Sequence, residues 1–296
     1  MISTVRYDCG NAFLNFRKIE NGWELSDCSG MCEGQLFVPG DVEGEPVVRI
    51  AKKAFLGKKR LRKVTLPSSI REIGDWAFAY CSALTEVVLP VSHLGQTVFL
   101  GCDALEKLVM HENEQIQNLL SLVAPTKEGE YLLRAEDIGS RDWLLRYDAY
   151  LEMLFGRADN ENFQNQILCG EEDYGSTDVA AYESKMRCRK IKLLAGRILN
   201  NLGLSTDLEK KWKQYLIAHT AASGVGEEFW LLLLSDWSTQ EKYWELFWEL
   251  GCVTQDNKEY ILKSLGDRLP ERKAFLLKKL QENAQEVKSV FEALAL

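Results

Sequence analysis

The chain has 296 residues, a formal net charge of −8 and 46% hydrophobic residues, a composition typical of a folded globular protein. Its length accommodates two ordinary domains, because single hydrophobic cores usually stop growing at about 250 to 300 residues. The acidic balance argues against general nucleic-acid binding, and the longest apolar run, Phe229 to Leu234, is far shorter than the about 20 residues of a membrane helix, so we expect no membrane insertion.

The N-terminal residues and the cysteines bear on the cellular compartment. Met1 to Cys9 lack the basic start and apolar core of a secretory signal, so we expect a cytoplasmic protein; a sequence from which an export signal had been removed would instead be extracellular. We therefore expect all eight cysteines to be free thiols. Cys28 and Cys32 form a CxxxC pair without a second pair or a histidine at ligand spacing, which is a poor zinc signature. We predict no metal and no cofactor.

The first predicted element is a β-hairpin at residues 19–24. Asn21 and Gly22 stand between two strand-like segments, and Asn-Gly is a strong signal for a tight hairpin turn. We expect this hairpin to cap the N-terminal end of the repeats that follow.

Residues 50–110 contain an internal repeat. Three windows place the same residue types in the same order, at a spacing of 23 and then 21 residues. The corresponding positions are Ile50, Ile73 and Leu94; Phe55, Phe78 and Phe99; Lys58, Cys81 and Cys102; and Leu61, Leu84 and Leu105. No unit of this length can bury its apolar side alone, so we expect the units to stack in columns of like residues and to need caps at both ends.

These residues resemble the BspA-like leucine-rich repeats, whose consensus is approximately Leu-x-x-Val-x-Leu-Pro-x-x-Val-x-x-Ile-Gly-x-x-Ala-Phe-x-x-Cys. The stretch from Leu61 to Leu84 matches at nearly every specified position, and the resemblance covers about residues 23 to 112. It implies a right-handed solenoid and a role in protein binding, often at cell surfaces. Lys58 departs from the consensus because it replaces the column cysteine.

Two rows of strand residues are expected on the outer surface of the repeats. Lys63, Glu86 and Lys107 form one row and Thr65, Val88 and Val109 the next, with about 4.8 Å between neighbouring strands. In the charged row, the negative charge of Glu86 lies between the positive charges of Lys63 and Lys107, so neighbouring charges are opposite in sign. Val88 and Val109, exposed side by side, require cover, either from the helical part of the same protein or from a partner.

A basic band is the second candidate for partner binding. It comprises Lys52, Lys53, Lys58, Lys59, Arg60, Arg62 and Lys63, and no acidic residue interrupts it. These side chains either solvate an end unit of the stack, face the acidic helical part, or dock an acidic protein segment by charge. Nucleic acid is disfavoured because no aromatic platform interleaves the exposed positions.

After His111 the apolar residues recur at three and four positions, which indicates helices. Ser140 is the predicted N-cap of a helix that runs through Trp143 to Phe155, and capping boxes begin at Thr206 and Ser238, the second helix ending at Gly251. Further helices are predicted at 115–124, 182–200, 227–234, 257–265 and 271–294. This spacing favours an array of helix pairs.

The predicted fold class is therefore α+β. A short right-handed leucine-rich-repeat solenoid with its hairpin cap occupies residues 1–112, and an all-α helical array occupies residues 113–296. The chain has three histidines and no nucleophile elbow, phosphate loop or zincin helix, and His93 reads as a surface residue. We predict a non-catalytic protein-interaction scaffold whose partner is a protein, with acidic character if it binds the basic band. The alternative is an enzyme with its active site in the helical part, for example near His219.

Overall fold

The structure, a computed structural model, describes residues 3–90, 93–161, 179–221, 230, 241–254, 256–265, 270–271 and 273–282. It contains a β-solenoid followed by helices, which confirms the predicted fold class. The chain divides into two compact units, Met1–Arg157 with Gly196–Leu204, and Ala158–Ala195 with Ser205–Leu296. The first unit includes helices beyond residue 112, and the boundary drawn there from the sequence stays a prediction.

The strands of the first unit form two main sheets. They are β1 (Thr4–Asp8), β2 (Ala12–Ile19), β3 (Gly22–Gly30), β4 (Gly34–Phe37), β5 (Asp41–Val42), β6 (Glu45–Ile50), β7 (Leu61–Thr65), β8 (Glu72–Ile73), β9 (Glu86–Val88), β10 (His93–Leu94) and β11 (Lys107–Val109). Sheet A has the order β1-β2-β3-β6-β8-β10, with β5 beside β6, and sheet B has the order β11-β9-β7-β4. Each repeat therefore contributes a longer strand to sheet B and a short strand to sheet A.

The N-terminal cap is the antiparallel meander of β1, β2 and β3. Its second turn consists of Glu20 and Asn21, whereas Gly22 is the first residue of β3 and pairs with Ile19. The hairpin is where the sequence predicts it, but Gly22 lies one position beyond the turn. A Cβ at Gly22 would lie 2.3 Å from the carbonyl oxygen of Pro46, so glycine is needed here because β6 approaches closely.

Columns of like residues form the core of the solenoid, as predicted. The rings of Phe55 and Phe78 stack with centroids 4.8 Å apart, and those of Phe78 and Phe99 with centroids 5.6 Å apart. Each Phe is fully buried, and Leu61 and Leu84 in the next column are equally buried. The repeat register read from the sequence is therefore the register of the fold.

Backbone hydrogen bonds join each turn of the solenoid to the next. Phe55 N–H donates to the carbonyl of Ala77 at 2.7 Å, and Phe78 N–H donates to that of Val98 at 2.9 Å. In the return direction, the Cys81 thiol donates to the carbonyl of Phe55 at 3.0 Å. The Phe55 carbonyl also accepts the N–H of Lys58, so the thiol adds a second, weak donor and a function beyond packing.

The last turn of the solenoid has no following turn, and a C-terminal cap satisfies its amides. The buried carboxylate of Glu130 accepts the N–H of Thr97, and the carbonyl of Pro125 accepts the N–H of Gly101 at 3.3 Å. The helix α1 (Glu114–Val123) packs on β11, where the Ser121 hydroxyl donates to the carbonyl of Glu106 at 2.9 Å. The cap therefore lies beyond the last repeat recognised in the sequence.

Cys28 and Cys32 form a disulfide, so the prediction of eight free thiols is wrong for this pair. The residues between the two cysteines turn the chain from β3 into β4, with positive φ angles at Gly30 and at Cys32 itself, and this turn brings the two buried sulfurs together. Cys9, Cys81, Cys102 and Cys252 are free thiols.

Helices follow the solenoid. They are α1, a short 3-10 turn at Glu130–Leu132, α2 (Arg141–Gly156), α3 (Val179–Leu199), α4 (Thr206–Thr220), α5 (Glu241–Glu249) and α6 (Lys258–Leu265), and residues 273–282 are also helical. Ser140 caps α2 as predicted, whereas Ser205, one residue before the predicted Thr206, caps α4. The capping box at Ser238, most of the predicted helix at 227–234 and residues 283–294 lie outside the described residues.

A buried ion pair holds the end of α3 to α2 in the first unit. The guanidinium of Arg197 donates to both carboxylate oxygens of Asp148, at 2.7 and 3.2 Å, and to the carbonyls of Asn200 and Leu202. Burial raises the pKa of Asp148, although the Arg197 guanidinium acts against this shift. Within the described part of the chain, no helix is both long and apolar enough to cross a lipid bilayer.

Leu84→Ala should be among the most destabilising single substitutions. Leu84 is fully buried in the central repeat, and removal of a buried leucine side chain lowers the free energy of unfolding by about 2 to 5 kcal/mol. Chemical denaturation of Leu84→Ala and of the exposed control Ser82→Ala measures the difference. Equal midpoints for Leu84→Ala and the wild type would remove Leu84 from the core column.

Glu130→Ala should destabilise the solenoid from its C-terminal end. The substitution leaves the buried N–H of Thr97 without its acceptor, and a buried unsatisfied donor costs about 1 to 3 kcal/mol. The exposed Glu136→Ala is the matched control, since it removes the same charge. Denaturation midpoints that fall equally for both variants would contradict the capping role of Glu130.

The disulfide predicts a specific alkylation pattern. If the protein is extracted and unfolded in iodoacetamide without reductant, Cys28 and Cys32 should stay unmodified while Cys81 and Cys102, buried but free, become labelled. Reduction before labelling should expose Cys28 and Cys32 as well. Peptide mass spectrometry reads each site, and full labelling of Cys28 and Cys32 without reductant would show that the bond does not form.

Candidate protein-interaction surface

The outer face of sheet B carries two parallel rows of side chains. The strand register places Gln35, Lys63, Glu86 and Lys107 in the first row and Phe37, Thr65, Val88 and Val109 in the second. Side chains alternate between the faces of a strand, and the residues between the rows, such as Leu36 and Val64, are buried inward. The register of the six residues predicted from the repeats is confirmed, and β4 extends both rows by one strand.

The charged row contains one direct ion pair. The Lys63 ammonium lies 3.0 Å from a carboxylate oxygen of Glu86, and both side chains are partly exposed. Exposed pairs of this kind contribute about 0.2 to 1 kcal/mol, so this one orients Lys63 more than it stabilises the sheet.

The second row has a large aromatic residue at its end. The side chain of Phe37 is 61% exposed, whereas Val88 and Val109 are half-buried. Sequence analysis missed Phe37 because β4 precedes the first complete repeat. The signal was present, since Leu36, Val38 and Pro39 repeat the spacing of Val64, Leu66 and Pro67 and leave Phe37 outward.

The basic band divides into two parts, separated by the buried Ala54 and Phe55. Lys52 and Lys53 follow β6 and are exposed. The other part comprises Lys58, Lys59 and Arg60 in the turn before β7, with Arg62 and Lys63 on β7 itself. This turn lies against β4, because the N–H of Gly34 donates to the carbonyl of Arg60 at 3.1 Å.

Most charges of the basic band are not neutralised by neighbours. Lys52 and Arg60 lie 3.7 and 3.8 Å from carboxylates of Asp75 and Glu33, at the weak end of ion-pair distances. For Lys53, Lys58, Lys59 and Arg62, the described residues provide no acidic partner. The band is therefore a positive surface in a chain whose net charge is −8.

Two aromatic residues of the central repeat are also partly exposed. The rings of Trp76 and Tyr80 lie 6.3 Å apart, and both residues have a φ of 59°. At the position of Tyr80 the neighbouring repeats have Gly57 and Gly101, also with positive φ. Non-glycine residues rarely adopt this conformation, so Tyr80 adopts it at a cost of order 1 kcal/mol. These two residues lie outside the basic band, and neither was singled out from the sequence.

The buried cysteines of the repeats are not reactive nucleophiles. Burial raises the pKa of the Cys81 thiol to about 11, against an opposing effect of Lys58. Burial likewise raises the pKa of Cys102 well above its usual range. Thiols that stay protonated at neutral pH are poor nucleophiles. Among the described residues, no group of three or more His, Cys, Asp and Glu side chains could hold a metal ion.

The second unit has an open depression of about 490 Å³ on α4. Its lining is Thr206, Glu209, Lys210, Lys213, Gln214, Ile217, Glu249 and Leu250. Lys213 and Glu209 pair with each other at 2.6 Å. His219 lies outside this lining and stacks on the ring of Tyr215 with centroids 3.8 Å apart, its Nδ1 being 2.9 Å from the carbonyl of Tyr215. This geometry fixes the histidine against its own helix.

Comparison with solved structures finds bacterial leucine-rich-repeat proteins. A Leucine Rich Repeat protein of T. pallidum is 28% identical with a TM-score of 0.32, over 36% of this chain and 50% of that one. A leucine rich cell surface protein of Faecalibacterium prausnitzii is 25% identical with a TM-score of 0.31, over 36% of this chain and 30% of that one. The present chain thus spans half or less of each, and no curated protein is significantly similar to it.

The family model described as "BspA type Leucine rich repeat region" matches residues 44–120, in six copies. This range contains the three complete repeats, the stacked Phe column, three of the four strands of sheet B and the strands β6, β8 and β10 of sheet A. Residues 44–120 of the chain are therefore a BspA-type leucine-rich-repeat region.

Proposed function

We propose that the chain is a non-catalytic protein-interaction scaffold that binds an acidic protein segment on the outer face of sheet B and the adjoining basic residues. The observation that carries the proposal is the position of three cations before and on β7, Lys58, Lys59 and Arg62, without acidic partners among the described residues. Leucine-rich-repeat folds commonly mediate protein interactions, and a positive surface on an acidic chain favours a partner of opposite charge.

Phe37 supports the same surface as a contact site. Large aromatic side chains supply much of the binding energy of protein interfaces when a partner removes them from water. Phe37 is exposed at the end of β4, and the first residue of that strand, Gly34, contacts the turn that holds Lys58, Lys59 and Arg60. An apolar anchor at one end of the strand and a cluster of cations at the other fit an extended partner segment that combines carboxylates with an apolar residue.

The enzyme alternative has no supporting arrangement among the described residues. The depression on α4 is open and lined by side chains of mixed charge, and His219 is engaged with Tyr215. Buried carboxylates such as Asp148 are held by strong partners, in this case Arg197. These are structural contacts, and a scaffold accounts for them without a reaction.

The redox state of Cys28 and Cys32 bears on the compartment. Cytoplasmic thiols are normally kept reduced, so a disulfide that persists in cells favours an oxidising compartment over the cytoplasmic location expected from the sequence. Quenching of intact cells in acid, followed by unfolding in an alkylating agent without reductant, distinguishes the two: labelled Cys28 and Cys32 support the cytoplasm, and protected residues support an oxidising compartment.

The partner can be identified by photo-crosslinking. A photoreactive amino acid at Gln35, in the first row of sheet B, captures the bound segment in source cells, and mass spectrometry identifies it. The proposal expects a protein with an acidic stretch at the crosslinked site. A crosslinked segment without net negative charge would contradict the proposed chemistry.

Replacement of Lys58, Lys59 and Arg60 by Ser should weaken binding of that partner. Exposed ion pairs contribute about 0.2 to 1 kcal/mol each, so three lost pairs raise Kd about 3- to 150-fold. The matched control is Lys127→Ser with Arg134→Ser and Arg141→Ser, three exposed cations elsewhere in the same unit.

Salt should reduce this difference, because screening shortens from about 8 Å at physiological ionic strength to about 3 Å at 1 M. Isothermal titration at low and high salt measures both effects. Equal affinity of the two triple variants, together with a salt-independent Kd, would assign the basic band to solubility and leave Phe37, Val88 and Val109 as the candidate contact.

A further inference from the structure

The strand β4 is an open edge of sheet B. The sheet order ends at β4, which pairs with β7 on one side, and no strand in the described part of the chain pairs with its other side. The opposite end of the sheet differs, since α1 packs on β11 there. The described sheet thus has one covered end and one end available for a further strand.

The backbone groups on the open side of β4 can be assigned from the hydrogen bonds on its paired side. The N–H of Gly34 donates to the carbonyl of Arg60, and the N–H of Val38 to that of Thr65 at 3.0 Å. Peptide groups alternate in direction along a strand, so the even-numbered residues face β7. The N–H and C=O groups of Gln35 and Phe37 therefore face the open side.

This edge is short, with four residues and a register shift between Gly34 and Gln35, but it lacks other features by which proteins usually prevent strand addition. Edge strands are commonly protected by lysine, by proline or by a covering element. Gly34–Phe37 contains neither a charged residue nor proline, and the side chains of Gln35 and Phe37 are exposed. The edge can therefore accept main-chain hydrogen bonds from an extended segment.

The charges beside the edge select the chemistry of that segment. Lys58, Lys59 and Arg60 lie in the turn that contacts the start of β4, and Arg62 and Lys63 lie one strand away on β7. A strand added to β4 would lie about 10 Å from β7, two strand spacings away, so these cations favour carboxylates through the local positive potential more than through direct contact. A second copy of the chain pairing through its own β4 would bring the two basic surfaces together, and this like-charge contact is unfavourable.

We propose that an extended acidic segment of a partner protein adds to β4 as a fifth strand of sheet B. Main-chain bonds to Gln35 and Phe37 supply affinity, and alternate side chains supply specificity, as in other cases of strand addition. A β-branched or aromatic residue of the segment packs beside Phe37, and its acidic residues are attracted by the positive potential of the turn and of β7. The inference rests on the proposed function and specifies how the same surface binds.

The test uses the full chain and a fluorescein-labelled peptide of alternating acidic and apolar residues, Glu-Val-Glu-Val-Glu-Val. Gln35→Pro removes an edge N–H, and proline is tolerated on edge strands because the pairing with β7 does not use this group. Gln35→Ala is the matched control, since it keeps the N–H. Two further probes are the peptide with Ser in place of Glu and the acidic peptide with every amide N-methylated.

The proposal expects the acidic peptide to bind the wild type at least about tenfold more tightly than the serine peptide does. The N-methylated peptide should not bind, and Gln35→Pro should weaken binding at least about fivefold relative to Gln35→Ala. The N-methylated probe needs no protein variant, so the test holds even if Gln35→Pro fails to fold.

Equal binding of the N-methylated and unmodified peptides would overturn strand addition, as would equal binding by Gln35→Pro and Gln35→Ala. If binding is lost on replacement of Lys58, Lys59 and Arg60 by Ser but not with N-methylation, recognition of acidic segments stands and the strand mode is wrong. No binding of the acidic peptide at millimolar concentration also overturns the strand mode, while the crosslinked partner still decides the proposed function.

Discussion

The solenoid depends on hydrogen bonds that run from each turn to the next. The amides of Phe55 and Phe78 each donate to a carbonyl of the following turn, so every internal turn satisfies its neighbour. The chain of bonds needs an acceptor at its end, and a buried amide without one is costly. In the last turn, Glu130 and Pro125 accept the N–H groups of Thr97 and Gly101, which explains why the first compact unit continues past the last repeat.

The repeats could be predicted because like residues recur at a fixed spacing. The register of the Phe, Leu and strand columns follows from that recurrence alone, and the structure has the same register. Helices α2 and α5 were equally accessible, since apolar spacing and an N-cap or a final glycine mark their ends. Cap residues gave less reliable signals, as the shift from Thr206 to Ser205 shows.

The features that could not be predicted from the sequence are those that do not recur from one repeat to the next. Glu130 meets Thr97 across 33 positions of the chain, and nothing in its local sequence marks it as an acceptor. The Cys28–Cys32 bond depends on a turn with two positive φ angles, a backbone path that a CxxxC spacing does not specify. Phe37 lies on a strand that resembles half a repeat. The basic band, in contrast, was visible in composition, and the structure adds that its larger part lies beside β4, the last strand of sheet B.

The C-terminal cap contacts the stack through general features of a repeat. The cap binds the backbone N–H groups of Thr97 and Gly101. The corresponding N–H groups of the two preceding repeats belong to Lys53 and Gly57 and to Trp76 and Tyr80, and they donate to the next turn. Duplication or loss of one whole repeat would therefore present the cap with an equivalent last turn. Gene duplication can therefore change the number of turns while both ends keep their structure. The distance between the basic turn before β7 and helix α1 can evolve in steps of one repeat.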